Sequence, residues 1–204
     1  MPKTQTKILP PRVSPLIPTE SEAIIDYKNL HLQERKALTA IQVLAFIDQY
    51  EATAVAIGKS LKIECPVTPG LCNVNEYTQV AWNGPNSWMI IASNETAKHN
   101  PGELMKSLQK AVGDLGAVVD QSHGRCGLRL SGKHARKVMA KNTSIDLHPR
   151  AFRPGQCALT AVAHMSALVI QVDDTPSYDL FVARSLARSF AHVIEHACYE
   201  FSDD

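Results

Sequence analysis

Apolar and polar positions along the chain change period several times, and each change marks an element. The run LTAIQVLAF at 38–46 is dense in branched and aromatic residues and predicts a strand. Over 48–61, Ala52, Val55, Ala56 and Leu61 recur at helical spacing behind Asp48, which is placed to cap the N-terminus. Residues 65–75 hold Pro66, Pro69 and Gly70 and read as loop. YTQVAW at 77–82 and SWMIIAS at 87–93 are strand-like runs on either side of Asn83, Gly84, Pro85 and Asn86, a tight-turn composition that predicts a hairpin. Pro101 opens a second helical pattern with Leu104, Leu108, Ala111 and Val112 on one face, ending near Gly113 and Gly116. A strand returns over 117–122. The order is βαββαβ, the split βαβ arrangement of a ferredoxin-like lobe.

The remainder repeats that order in part. A strand is expected over 125–130, a short helix over 133–141, and strands over 156–162, 166–172 and 178–182. A last helix over 184–199 is expected to bury Leu186, Phe190, Val193, Ile194 and Ala197. The expected fold class is α/β (α+β), with two related lobes at about 38–122 and 123–204; a single mixed sheet is the other arrangement the pattern allows. Ahead of them, residues 1–37 read as an extended arm and linker, with a polar segment at 26–36. Five of the twelve prolines, Pro2, Pro10, Pro11, Pro15 and Pro18, fall in the first eighteen residues, and proline blocks helix and removes backbone donors. The arm is either a free tail or a segment that orders on a partner. Apolar Ile8, Leu9, Val13, Leu16 and Ile17 favour the second and are interface candidates.

Composition acts mainly by exclusion. With 204 residues, 45% hydrophobic and 20% charged, the chain is ordinary globular material, neither disordered nor membrane-like. Its longest apolar runs fall far short of the roughly 20 residues that span a bilayer. The N-terminus lacks the apolar core and cleavage site of a secretory signal, so a cytoplasmic location is expected. A net charge of +1, spread along the chain, offers no basic block for nucleic acid. The five cysteines, Cys65, Cys72, Cys126, Cys157 and Cys198, are scattered and expected to be reduced and mostly buried.

Groups that might carry chemistry are few. His192 and His196 lie four apart on a helix but bring no third ligand, so no metal site is assigned. Cys126 sits in a strand whose alternation turns it away from Arg125, and a nucleophilic thiol needs a cationic neighbour. The glycines of HGRCGL and LSGKHA match neither the phosphate loop nor the dinucleotide fingerprint. Trp82 and Trp88 flank a turn and either cap a core or anchor a partner, so both are interface candidates. Arg184 and Ser185 open the last helix, where backbone N–H groups can hold an anion or a serine can cap. No catalytic residue is assigned to this chain.

Four segments, VAWNGPNSWMI (80–90), VVDQSHGRCGLRLSGKHARKVM (118–139), IDLHPRAFRPGQCALTAVAHMSALV (145–169) and YDLFVARSLARSFAHVIEHACYEF (178–201), resemble the gamma subunit of heterotetrameric sarcosine oxidase. The combination of Trp82-x-Gly84-Pro85-x-x-Trp88, Asp120-x-Ser122-His123, Asp146-Leu147, Phe152-x-x-Gly155 with Thr160, and Arg184-Ser185 carries the resemblance. More distantly, Asp-x-Ser-His followed by L-x-L-S-G-x-x-A is similar to the folate-binding aminomethyltransferase of the glycine cleavage system, which implies that fold. The resemblance implies a non-catalytic gamma chain beside alpha, beta and delta subunits, in a complex that carries FAD, FMN, NAD and tetrahydrofolate and demethylates sarcosine to glycine. A related N-methyl amino acid (such as N-methylglutamate) dehydrogenase and a stand-alone folate-dependent one-carbon transferase are the alternatives. Were this chain to touch a cofactor, Asp120, Ser122, His123, Arg184 and Ser185 are the candidates. Gln121 stands where the aminomethyltransferase pattern has an aliphatic residue, and no G-G-x-x-D-D-like segment is present, which argues against folate catalysis here.

Overall fold

The computed structural model describes residues 13–16, 23–36, 38–93 and 101–203. Its strands are β1 (Ala23–Tyr27), β2 (Leu30–Glu34), β3 (Leu38–Ala45), β4 (Cys72–Val74), β5 (Thr78–Trp82), β6 (Ser87–Ser93), β7 (Gly116–Asp120), β8 (Arg125–Ser131), β9 (Cys157–Val162), β10 (Met165–Asp173) and β11 (Ser177–Ala183). The helices are α1 (Tyr50–Leu61), α2 (Pro101–Val112), α3 (Ala135–Asn142) and α4 (Ala187–Cys198). They build two antiparallel sheets, one in the order β4-β5-β6-β3-β7 and one in the order β1-β2-β8-β11-β10-β9. The first is the expected ferredoxin-like order with β4 added at one edge.

The second sheet explains why the sequence shows only a partial repeat. Matched by position, β8, β11, β10 and β9 correspond to β3, β6, β5 and β4, and α3 and α4 to α1 and α2. The strand equivalent to β7 is not supplied from the C-terminal side: it is β2, which pairs with β8 through Leu32↔Leu130 and Gln33↔Arg129. Residues 23–34 are therefore a hairpin of the second lobe, where the sequence pattern suggested arm and linker. Leu30 and Leu32 are completely buried. The hairpin was missed because its outward positions, His31 and Gln33, are polar, and five-residue strands carry little periodic signal.

The two lobes meet about an approximate twofold written into the sequence as Pro69-Gly70-Leu71-Cys72 and Pro154-Gly155-Gln156-Cys157. Each motif leads into an edge strand, and each glycine has φ +82°. Their bonds are reciprocal: the Cys72 N–H donates to the Gly155 carbonyl and the Cys157 N–H to the Gly70 carbonyl, both at 2.8 Å. This four-residue echo is the internal repeat that secondary-structure periodicity does not reveal.

Period-two alternation assigns every central strand two buried faces. In β6, Trp88 and Ile90 point to α1 and α2, while Met89 and Ile91 point to the other sheet. In β10, Ala167 and Val169 face the core shared with α3 and α4, while Leu168 and Ile170 join Leu38, Met89, Ile91 and Phe181 between the sheets. The layers run helices, sheet, sheet, helices. Asp179 in β11 is wholly buried on the inter-sheet face. Arg129, its cross-strand partner, binds it through two nitrogens at 2.8 and 2.9 Å, Arg35 binds it at 2.5 Å, and Gln79 reaches it from the opposite sheet at 3.4 Å.

Local details differ from the sequence pattern in three places. Asp48 is not a cap: it has φ +62°, and α1 begins after Gln49 without a side-chain cap. The buried face of α1 is Thr53, Ala54 and Ile57, so Ala52, Val55 and Ala56 lie on the other side. In α4 the buried residues are Ala187, Phe190, Ala191, Ile194 and Cys198, whereas Leu186 and Val193 are exposed.

Two substitutions test this architecture. Leu32→Ala should lower unfolding free energy by about 3 kcal/mol in urea denaturation, the cost of a cavity in a closed core, whereas a linker residue would cost almost nothing. Asp179→Asn leaves two guanidinium groups facing each other with no counter-charge and should cost about 3 kcal/mol by the same measurement. A loss under about 0.5 kcal/mol in either case contradicts the role given to that residue.

Candidate functional site at the lobe junction

The sequence candidates Asp120, Ser122, His123 and Arg184 do come together, at the crossover between β7 and β8. Asp120 ends β7, and its Oδ1 accepts the Ser122 N–H at 2.8 Å, forming a tight Asx turn. The Ser122 hydroxyl accepts the Ala40 N–H at 3.1 Å, and the Gln121 N–H donates to the Ala40 carbonyl at 2.8 Å. Arg184 closes the arrangement from the other sheet: its N–H donates to the Gly124 carbonyl at 2.9 Å. His123 is exposed at the tip. Ser185 is exposed within the 3-10 turn Arg184–Leu186, and neither that turn nor α4 has a side-chain cap. Asp120 Oδ1 and Ser122 Oγ thus satisfy the backbone of a junction that passes the chain from one sheet to the other, while the Arg184 side chain keeps a buried Nη1 without a hydrogen-bond partner among the described residues.

A cleft of about 420 Å3 opens at another rim, where β2 and the segment before β3 face β5 and the 74–77 loop. Its lining includes Arg35, Lys36, Tyr77, Gln79 and Arg129. Burial pulls the Arg35 guanidinium below its ordinary pKa, opposed by the Asp179 charge and reinforced by Arg129. Arg129 moves the other way, upward, because its bonds to Asp179 outweigh desolvation. One carboxylate shared by two guanidinium groups is a rigid brace between the strands. Sequence reasoning overlooked these residues, although an Arg in CGLRL and an Asp in SYDLFVA, within otherwise apolar strands, signal a buried pair.

All five cysteines are buried, and none is in a disulfide. Burial pushes the thiols of Cys65, Cys157 and Cys198 up to about 12, and that of Cys72 upward as well, so these four are protonated at physiological pH. His192 and His196 pack edge to face at 4.3 Å between ring centroids. Among the described residues no three His, Cys, Asp or Glu side chains gather as a metal set. Nor is any described helix long and apolar enough to cross a membrane.

The interface candidates divide. Trp88 is a core residue: wholly buried, it stacks on Tyr50 at 4.7 Å and donates from Nε1 to the Pro66 carbonyl at 2.7 Å. Trp82 is half-buried against the inter-sheet core, and its carbonyl accepts from the Cys157 thiol. Trp88 therefore presents no free ring to a partner, whereas Trp82 keeps part of its surface open. In the arm, Leu16 packs on the chain's own second lobe, Arg188 Nε donates to the Pro15 carbonyl at 3.0 Å, and Ser14 bonds Glu34 at 2.5 Å. Residues 14–16 thus contact the chain itself, and among residues 13–16 only Val13 is widely exposed. Ile8, Leu9 and Ile17 lie outside the described residues.

Comparison with known proteins agrees with this geometry. The chain is similar to a sarcosine oxidase subunit gamma from Corynebacterium sp. (strain P-1), with 33% identity over 156 residues, 76% of this chain and 72% of the relative. Among solved structures it superimposes on a chain of the heterotetrameric sarcosine oxidase from Corynebacterium sp. U-96 in complex with pyrrole 2-carboxylate, with TM-score 0.75 and 27% identity over 90% of each chain. The glycine cleavage system aminomethyltransferase T from Bartonella henselae shares the fold, with TM-score 0.57 and 15% identity over 82% of this chain and 46% of that one. A family model described as "Sarcosine oxidase, gamma subunit family" matches residues 48–200, both lobes from α1 to the end of α4, and the chain belongs to that family.

Proposed function

We propose that the chain is the non-catalytic gamma subunit of a heterotetrameric sarcosine oxidase, working beside alpha, beta and delta subunits in the cytoplasm. In this reading the other subunits carry FAD, FMN, NAD and tetrahydrofolate and oxidise sarcosine to glycine, passing the one-carbon unit to tetrahydrofolate. The gamma chain contributes a rigid surface on which the flavin-containing subunits pack. The family match across both lobes carries the proposal.

The residues present support an accessory role. A folate or nucleotide contact needs polar groups aimed into open space, but Asp120 Oδ1 and the Ser122 hydroxyl are engaged with backbone at the junction. The turn of the L-S-G-K segment is filled as well, since a Cβ at Gly132 would stand 2.4 Å from the Asn29 carbonyl oxygen. The chain therefore offers no cradle for a phosphate at that turn, and the cofactors are assigned to its partners.

Co-expression of the oxidase subunits with and without this chain tests the proposal. Omission should lower the yield of assembled oxidase and its thermal stability by several degrees. An oxidase that assembles with unchanged stability and sarcosine turnover in its absence would sink the reading.

A further inference from the structure

The approximate twofold makes each lobe a template for the other, and the lobes differ in how the groove between their two helices is closed. In the second lobe the chain closes it alone. Helix α4 runs into the 3-10 turn Tyr199–Phe201, and Phe201, 4% exposed, stacks on His134 at 4.7 Å between centroids. Lys137 and Lys141 of α3 lie over the Phe201 ring at 5.8 and 5.0 Å, and Lys141 pairs with Glu200. An aromatic ring next to a carboxylate, under two lysine stems, seals that groove.

In the first lobe the positions of Phe201, Lys137 and Lys141 carry smaller, uncharged residues. Helix α2 likewise runs into a 3-10 turn, Gly113–Leu115, whose third residue is Leu115 where the sister turn has Phe201. Counted from the helix starts, the third and seventh residues of α3 are Lys137 and Lys141, while those of α1 are Ala52 and Ala56. The result is an open groove of about 590 Å3 floored by Ala52, Val55, Ala56, Ala111 and Leu115, with Lys59 and Lys110 and no carboxylate among the described residues that line it. Val55 is 54% exposed although its helical spacing reads as core. The apolar surface continues past the groove: the Phe46 N–H bonds the Leu115 carbonyl at 2.9 Å, and Phe46 and Ile47 beside it are 52% and 85% exposed.

We propose that this α1/α2 groove is the docking site for another subunit of the oxidase, which inserts an aromatic or large aliphatic side chain flanked by a carboxylate, the counterpart of Phe201 and Glu200. The inference rests on the gamma-subunit reading and adds to it the face used and the chemistry of the partner. The inserted side chain covers the alanine floor, and the carboxylate meets Lys59 and Lys110. Phe46 and Ile47 extend the contact onto the β3–α1 turn.

The test is co-purification of the assembled oxidase containing full-length gamma chain, either wild type, Val55→Asp, or the charge-reversed pair Lys59→Glu with Lys110→Glu. Melting of each gamma chain alone serves as the folding control. Both variants should melt within about 2 °C of wild type, because the altered side chains are at the surface, and should associate at least tenfold more weakly. If Val55→Asp melts early, the lysine pair alone decides the question. Wild-type association by a normally folded variant overturns the groove assignment and leaves the gamma-subunit reading standing. Failure of the wild-type chain to enter the complex overturns that reading itself.

Discussion

Every central strand in this protein has two apolar faces, yet each lobe has helices for only one. The uncovered face of one sheet must be covered by the other, which makes the lobes mutually obligatory. Leu38, Met89, Ile91, Leu168, Ile170 and Phe181 form the contact, each nearly or fully removed from water. At about 25 cal/mol per Å2 of apolar surface, such a layer outweighs any single hydrogen bond in the junction. Neither lobe is expected to be a stable domain alone.

Apolar burial is non-directional, so it does not by itself decide how the sheets are aligned. The polar groups do that. Asp179 fixes Arg129 on its own sheet and draws in Arg35 and Gln79, while the reciprocal bonds between Gly70, Cys72, Gly155 and Cys157 set the edge strands against each other. A buried pair of this kind contributes little net stability against an apolar replacement, but it penalises every alignment that leaves the charge without a partner. The Asp120–Ser122 turn works in the same way at the crossover, where Asp120 Oδ1 and the Ser122 hydroxyl bond backbone N–H groups.

What the sequence made legible follows from signal strength. The hairpin of β5 and β6, the helix after Pro101 and the ferredoxin-like order of the first lobe were readable because long apolar runs alternate with strong turn residues. The β1–β2 hairpin was not, since Leu30 and Leu32 are its strongest core signals within polar surroundings and its partner β8 lies about a hundred residues away. The inward face of α1 was misjudged because AIQVLAFIDQYEATAVAIG is apolar almost throughout its length, so Ala52, Val55 and Ala56 fit a helical stripe as well as Ala54 and Ile57 do. Family resemblance pointed to the correct class of protein, but only coordinates show that Trp88 is sealed inside and that Asp120 serves its own turn.

The asymmetry between two nearly equivalent lobes bears most directly on function. The second lobe is finished by its own chain: β1 and β2 complete its sheet, Leu16 covers its core from one side, and Phe201 closes its helix pair. The first lobe has the same plan with smaller residues at the closing positions, and the exposed apolar side chains Phe46, Ile47 and Val55 lie on α1 and the turn before it. A protein working alone gains nothing from leaving Phe46, Ile47 and Val55 in water, because each costs solubility and adds no packing. In a subunit of a larger enzyme the same surface is the unfinished half of a contact. The pattern of closure thus separates a lobe that holds the chain together from a lobe that faces outward, and an accessory subunit needs both.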